Sequence, residues 1–409
     1  MPAAAAGAMS CEVHQPMPLT SADTRSDAID VGLNPEALDR LSGRIRADVQ
    51  QGRIFGASIL VARGGKIGYR DTIGEVSPGR PAASDDIYLL MSLSKSFTAS
   101  LILRAVDQGK LTLDTRACEI LPEFAANGKQ RVTIHHLLTH TAGTYAGVLP
   151  PAPLTLADQG NLEKNVAAIS ALPAANIPGE RVVYNPFASY AVLGQILVAI
   201  DDAGRSFQDI ARQDLFSPLE MMNTSYGLAV DAPRRVPVSF TDSSTTPASA
   251  PTAHMLNAID DHAEHPAGCA FGTIDDVFRF TEALRGRGAS GSQRLLSPAL
   301  FDYACQNHTG DLRDGAWDFD RERLDLPAPP AKFSLLGGYV RGSGHHGSAL
   351  GFTASPHAFG AVGGGSTFWM VDPERDLTFV FLSAGFLTGY EHFIRLQRLA
   401  DLALATSEG

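Results

Sequence analysis

Of the six lysines in this 409-residue chain, only Lys95 follows a serine by three positions, in Ser92-Leu93-Ser94-Lys95. On a helix that spacing puts both side chains on one face, about 5–6 Å apart at Cβ, close enough for an amine to meet a hydroxyl. A serine in the first helical turn also has free backbone N–H groups and the positive end of the helix dipole beside it, which favour a developing oxyanion. The chemistry indicated is nucleophilic attack by Ser92 on a carbonyl with Lys95 as its base. Roughly 0.4 S-x-x-K matches arise by chance with so few lysines, and a capped helix start with a solvated lysine reads the same, so the tetrapeptide needs its context. G-x-S-x-G is absent, which removes the nucleophile elbow of the α/β-hydrolases.

Other reactive clusters read as structural. His136 and His140 stand four apart, but residue 137 is leucine where a zinc helix would carry glutamate. Asp260, Asp261, His262, Glu264 and His265 read as a solvated loop, and Gly363 to Gly365 neither form G-x-G-x-x-G nor open a helix. No metal and no nucleotide cofactor is expected. Cys11, Cys118, Cys269 and Cys305 lack C-x-x-C spacing, which fits reduced thiols better than a disulfide framework.

The elements that must position Ser92 follow from periodicity. A helix from Pro35 to Gln51 is predicted, with Asn34 as cap and Leu38, Leu41, Ile45 and Val49 on one face. Ala57 to Ala62 and Lys66 to Arg70 flank Gly64-Gly65 as a hairpin. Thr367 to Val371 and Leu377 to Leu382 form a second hairpin, and a helix from about Tyr390 to Ala405 ends the chain. Between these lie helical patterns at Ser92–Gln108, Ile134–Leu138, Ala188–Asp201 and Phe207–Leu215. The fold class is therefore α/β: an antiparallel sheet flanked by helices, residues 26–86 and 268–409, with a mostly helical lobe of residues 87–267 inserted and an N-terminal extension of 1–25. Thr144–Pro178, Pro237–Gly268 and Gly310–Gly351 read as irregular walls of a cleft.

A formal charge of -11 and pairs no longer than Arg234-Arg235 give phosphate backbones nothing to bind, and Arg321 and Arg323 among acidic neighbours read as solvated. No apolar run approaches the roughly 20 residues that span a bilayer. The alanine-rich start lacks a cationic region, so it does not read as a secretory signal, and a cytoplasmic location is expected. Neither nucleic acid nor membrane is an expected partner.

Met91-Ser92-Leu93-Ser94-Lys95-Ser96-Phe97, followed by His136-Leu-Leu-Thr-His-Thr-Ala-Gly143, resembles the serine β-lactamase and penicillin-binding-protein superfamily, most of all the class C-like branch that includes family VIII carboxylesterases. Pro178-Gly179 before Tyr184, Pro218-Leu-Glu-Met221, Gly268 to Asp276, Leu295-Leu-Ser-Pro298 and Phe368-Trp369 through Pro373 keep the family's order, over about Leu38 to Leu382. The resemblance implies a β-lactamase-like fold and a Ser92 acyl-enzyme, with Lys95 and Tyr184 as a coupled base and proton shuttle. Both titrate near 10 in water, so use at neutral pH requires lowering one by about three units, roughly 4 kcal/mol of environment. The family's Y-x-N becomes Tyr184-Asn185-Pro186 here, and Asn185 receives no role.

The third family element is matched by Ala361-Val-Gly363-Gly364-Gly365-Ser366, where Gly364 is assigned as the second oxyanion donor beside Ser92. Ala361 stands where a cationic or aromatic residue is usual, so the anchor for a β-lactam carboxylate is missing unless Arg341, His345 or His346 supplies it. The expected substrate is a small neutral ester. Hydrolysis of β-lactams or D-amino-acid amides, acyl transfer to a small acceptor, and an acyl-binding sensor without turnover are the alternatives.

Overall fold

The computed structural model describes residues 24–147, 151–365, 367–387 and 389–407; most of the N-terminal extension, Cys11 and Ser366 lie outside them. In chain order the strands are β1 (Gly56–Arg63), β2 (Lys66–Ser77), β3 (Arg80–Pro81), β4 (Tyr88–Leu89), β5 (Ser225–Tyr226), β6 (Ala270–Gly272), β7 (Ala289–Ser290), β8 (Gln293–Arg294), β9 (Tyr339–Val340), β10 (Phe359–Gly363), β11 (Thr367–Asp372) and β12 (Leu377–Ala384). Among the described residues, seven of them form one sheet in the order β3-β2-β1-β12-β11-β10-β9, with antiparallel neighbours throughout. The two expected hairpins thus meet at its centre, with Ile59 opposite Phe381.

Alternation along the central strands gives the sheet two buried faces. Ile59, Val61, Phe368, Met370, Phe379 and Phe381 pack on the helices Pro35–Gln50 and Glu391–Leu404. Leu60, Trp369, Val371, Val380 and Leu382 face the other way, onto a core shared with the helix Ile274–Arg285 and the middle of the chain. Covering on both sides explains why these strands read as almost continuous apolar runs. The first of the covering helices starts as its sequence dictates, with Pro35 at its first turn and Asn34 Oδ1 accepting from Ala37 N at 3.0 Å.

Helix Ser94–Asp107 runs through the second core, and eleven of its fourteen residues are buried. A helix buried on nearly all sides has no broad solvent face to set its orientation. Phe97 fixes it edge-on between Phe216 and Phe280, at ring distances of 5.3 and 4.8 Å.

The three stretches expected to be irregular carry helices Leu162–Ala171, Ser249–Asn257 and Asp318–Arg323, besides β9. Leu162, Val166 and Ile169 make a helical stripe capped by Asn161, but the stripe spans little more than two turns between prolines and its periodicity is weak. Arg321 is a correction of another kind: it is buried, beside Asp318, not solvated. Among the described residues no helix is long and apolar enough to cross a membrane.

Candidate active site

Ser92 lies in a single 3₁₀ turn, Met91–Leu93, and the α-helix begins at Ser94, so the serine precedes the first helical turn in which it was expected. Met91 holds φ at 52°, a conformation that non-glycine residues adopt at a cost. Ser94 locks the bend: its hydroxyl donates to Met91 O at 2.6 Å and accepts from Ala270 N at 3.0 Å. Thr98, one turn on, donates to Pro266 O at 2.8 Å, which brings the segment preceding β6 alongside the helix.

That segment and the one after Tyr184 enclose Lys95. Its Nζ donates to Pro186 O at 3.0 Å and to Ala267 O at 2.9 Å, and lies 3.0 Å from Ser92 Oγ. All three neighbours are uncharged oxygens. Burial lowers the lysine to about 7. A neutral amine has two N–H bonds, and the two carbonyls take both, which turns the lone pair toward the serine hydroxyl.

Tyr184 completes the trio, its hydroxyl donating to Ser92 Oγ at 2.6 Å. Its ring packs on His140 at 4.7 Å and stacks on Phe333 at 6.2 Å. Burial raises the phenol well above its ordinary value; the Ser92 hydrogen bond opposes this and the nearby Asp314 charge adds to it. Of the two groups read from the sequence as candidates for lowering, only Lys95 is lowered. Tyr184 stays a phenol because burial disfavours the phenolate, and among the described residues no cation bonds to its oxygen.

Asn185 turns away from this cluster. Its Oδ1 accepts from Phe187 N and Ser189 N at 3.2 and 3.1 Å, capping the helix Ala188–Ala199, and its Nδ2 donates to Thr144 Oγ1 and Tyr145 O. Where the family's Y-x-N ends in a side chain, Pro186 presents a backbone carbonyl. His140, buried with φ of 58°, accepts from Asn185 N through Nδ1 at 3.0 Å, while His136 closes a capping box with Thr133. Among the described residues no group of three or more His, Cys, Asp or Glu side chains is arranged for a metal.

Gly363 ends β10 against the nucleophile turn. A Cβ there would fall 1.9 Å from Thr367 Oγ1 and 2.5 Å from Leu90 O, and Thr367 itself donates to Leu90 O at 2.8 Å. Gly364 follows against the Met91 side chain, and Gly365 turns at φ 80° beneath Phe386. His392, from the C-terminal helix, reaches Gly363 O at 3.2 Å. Ala361 is buried and its side chain offers no polar atom. Arg341 does not supply a carboxylate anchor: it is buried and donates to Gly351 O, Gly344 O and Phe352 O. His346 contacts Arg341, and His345 stacks on Phe352.

Sequence reasoning missed the carbonyls of Pro186 and Ala267, because a backbone oxygen leaves no mark in residue type. It also missed Asp314, whose Oδ1 accepts from Tyr184 N at 2.8 Å from 130 residues away.

The model of the beta-lactamase family matches residues 41–404. Esterase EstB of Burkholderia gladioli is 28% identical over 402 residues, covering 88% of this chain and 94% of that protein. EstCE1, described as a hydrolase with promiscuous acyltransferase activity, superposes at a TM-score of 0.70 with 21% identity, over 89% of this chain and 98% of that one. A family VIII carboxylesterase does so at 0.69 with 22% identity, over 90% and 98%. These likenesses establish a β-lactamase-like fold, and with the family match they lead to one conclusion: the chain belongs to the beta-lactamase family of serine hydrolases.

Proposed function

We propose that the protein hydrolyses small neutral carboxylic esters through an acyl-enzyme on Ser92. The observation that carries this is the convergence of Lys95 Nζ and Tyr184 OH on Ser92 Oγ, with both remaining lysine N–H bonds engaged by carbonyls. Neutral Lys95 takes the serine proton as Oγ bonds to the ester carbon. The tetrahedral oxyanion is held by the N–H groups of Ser92 and Gly364. Its collapse breaks the carbon–alkoxy bond, and the proton held by Lys95 passes through Tyr184 to the departing alcohol. Water repeats the sequence on the acyl-enzyme, releases the acid and restores the serine.

The buried Ala361 and the engaged Arg341 support an ester lacking a carboxylate over a β-lactam. Residues 87–267 supply Ser92, Lys95 and Tyr184 in this reading, and the sheet unit of 26–86 and 268–409 supplies Gly364. Water and an alcohol differ only in which acceptor meets the acyl group, and the acyltransferase activity named for EstCE1 supports transfer as a side reaction.

Purified protein and Ser92→Ala, assayed on p-nitrophenyl acetate, butyrate and octanoate with nitrocefin in parallel, provide the test. Ester turnover and fluorophosphonate labelling are expected in the wild type alone, with negligible nitrocefin hydrolysis. Activity that survives in Ser92→Ala sinks the proposal, comparable nitrocefin turnover moves it to β-lactams, and one equivalent of product followed by silence makes the protein an acyl sensor.

A further inference from the structure

Residues 182–185 are held from two sides. Val183 N donates to His140 O at 3.1 Å and Asn185 N to His140 Nδ1 at 3.0 Å, so both neighbours of Tyr184 are tied to one residue. The N–H of Tyr184 itself points the other way, to Asp314 Oδ1 at 2.8 Å. The same oxygen accepts from Ala316 N at 3.0 Å, Gly315 N donates to Val182 O at 3.0 Å, and Val182 and Asp314 form a parallel bridge. Asp314 belongs to the sheet unit by sequence and Tyr184 to the helical one, so this clamp crosses between them.

The clamp is expensive as architecture. Asp314 is buried, and its Oδ2 is shielded from solvent and, among the described residues, has no hydrogen-bond partner. A buried carboxylate oxygen without a partner is unfavourable, and it is tolerated here where the other oxygen of the same group holds the backbone of Tyr184. Costs of this kind are concentrated at functional sites. Burial also raises the carboxyl to about 6, against the two amide hydrogen bonds and Arg321.

Resting on the acyl-enzyme reading above, we propose that Asp314 is a positioning residue for catalysis, acting solely by fixing the backbone of Tyr184 so that the phenol meets Ser92 Oγ. It touches no reacting atom, and its contribution passes entirely through the Tyr184 hydroxyl.

A double-mutant cycle on the full chain tests this, with kcat and KM for p-nitrophenyl butyrate, fluorophosphonate labelling rates and thermal midpoints measured for each variant. Asp314→Ala is expected to lower kcat about tenfold or more with KM within about twofold. Asp314→Asn keeps an acceptor at Oδ1, folds as an isostere and should retain kcat within about threefold. In the Tyr184→Phe background, adding Asp314→Ala should cost less than about twofold, because the hydroxyl it positions is already gone. A purely structural Asp314 would give the same fractional loss in both backgrounds, and that additivity overturns the proposal, as does an Asp314→Asn no better than Asp314→Ala. Ser92→Ala separates the two levels: if it is active, the acyl-enzyme reading fails; if it is inert while Asp314→Ala behaves as wild type, only the assignment of Asp314 fails.

Discussion

Lys95 is the residue on which the proposed chemistry turns, and its environment gives a sign that can be measured. Burial lowers it to about 7 among uncharged oxygens, so the amine is a base above that pH and an ammonium below it. The acylation rate, read as kcat/KM, should rise about tenfold per pH unit below 7 and level off above it. A rate already level at pH 5 would exclude Lys95 as the base. Tyr184→Phe should cost about 10²–10⁴-fold through lost proton transfer while leaving KM nearly unchanged. The proximity of Ser92 and Lys95 was legible in their spacing of three, although only the motifs around the pair set it apart from a chance match. Tyr184 needed the family resemblance, since nothing in a lone tyrosine distinguishes a proton carrier from a core residue. Asp314 carried no signal, because its contact with Tyr184 is made across 130 positions.

At the scale of elements, the site depends on how closely β10 approaches the turn holding Ser92. Gly363 is required there by space, since any Cβ would strike Thr367 Oγ1 and the Leu90 carbonyl. Gly363→Ala should therefore destabilise the fold by about 1–3 kcal/mol in urea unfolding and reduce kcat at least about tenfold, by pushing Gly364 away from the serine. Unchanged kcat in a folded variant would remove the glycine strand from the oxyanion site. The hairpins were readable as short apolar runs flanking turn residues, and the terminal helices from a 3.6-residue periodicity sustained over several turns. The turn Met91–Leu93 was not, since a strained φ before the nucleophile is imposed by Ser94 and Ala270, partners 176 positions apart.

For the whole molecule, the first and last covering helices are joined by a buried charge. Asp48 is fully buried and pairs with Arg44, Arg53 and Arg395, the last from the C-terminal helix. Burial alone would raise its carboxyl group, but Arg395, Arg53 and Arg44 outweigh it and the result is lowered below 3.8. Its contribution to stability is thus fully present above pH 3.8 and is lost as the pH falls through the lower folded value. Asp48→Ala should cost about 3–5 kcal/mol because it removes the carboxylate that offsets the charge of the buried Arg395, with kcat/KM per folded molecule unchanged. An equal loss of activity would mean that the sheet transmits this damage to the site. The link between the two helices is invisible in the sequence, where Asp48 and Arg395 lie 347 positions apart.

Neutral Lys95 among uncharged oxygens also determines what the protein senses in solution. Above about pH 7, where Lys95 is neutral, the reacting trio carries no net charge before acylation, in a chain whose formal charge is -11. An uncharged ester is then neither drawn in nor repelled by the long-range field, so its capture is indifferent to ionic strength. An anionic ester meets repulsion that added electrolyte relieves. The same buried lysine that makes a base without a counter-ion therefore leaves the discrimination among uncharged substrates to the shape of the cleft.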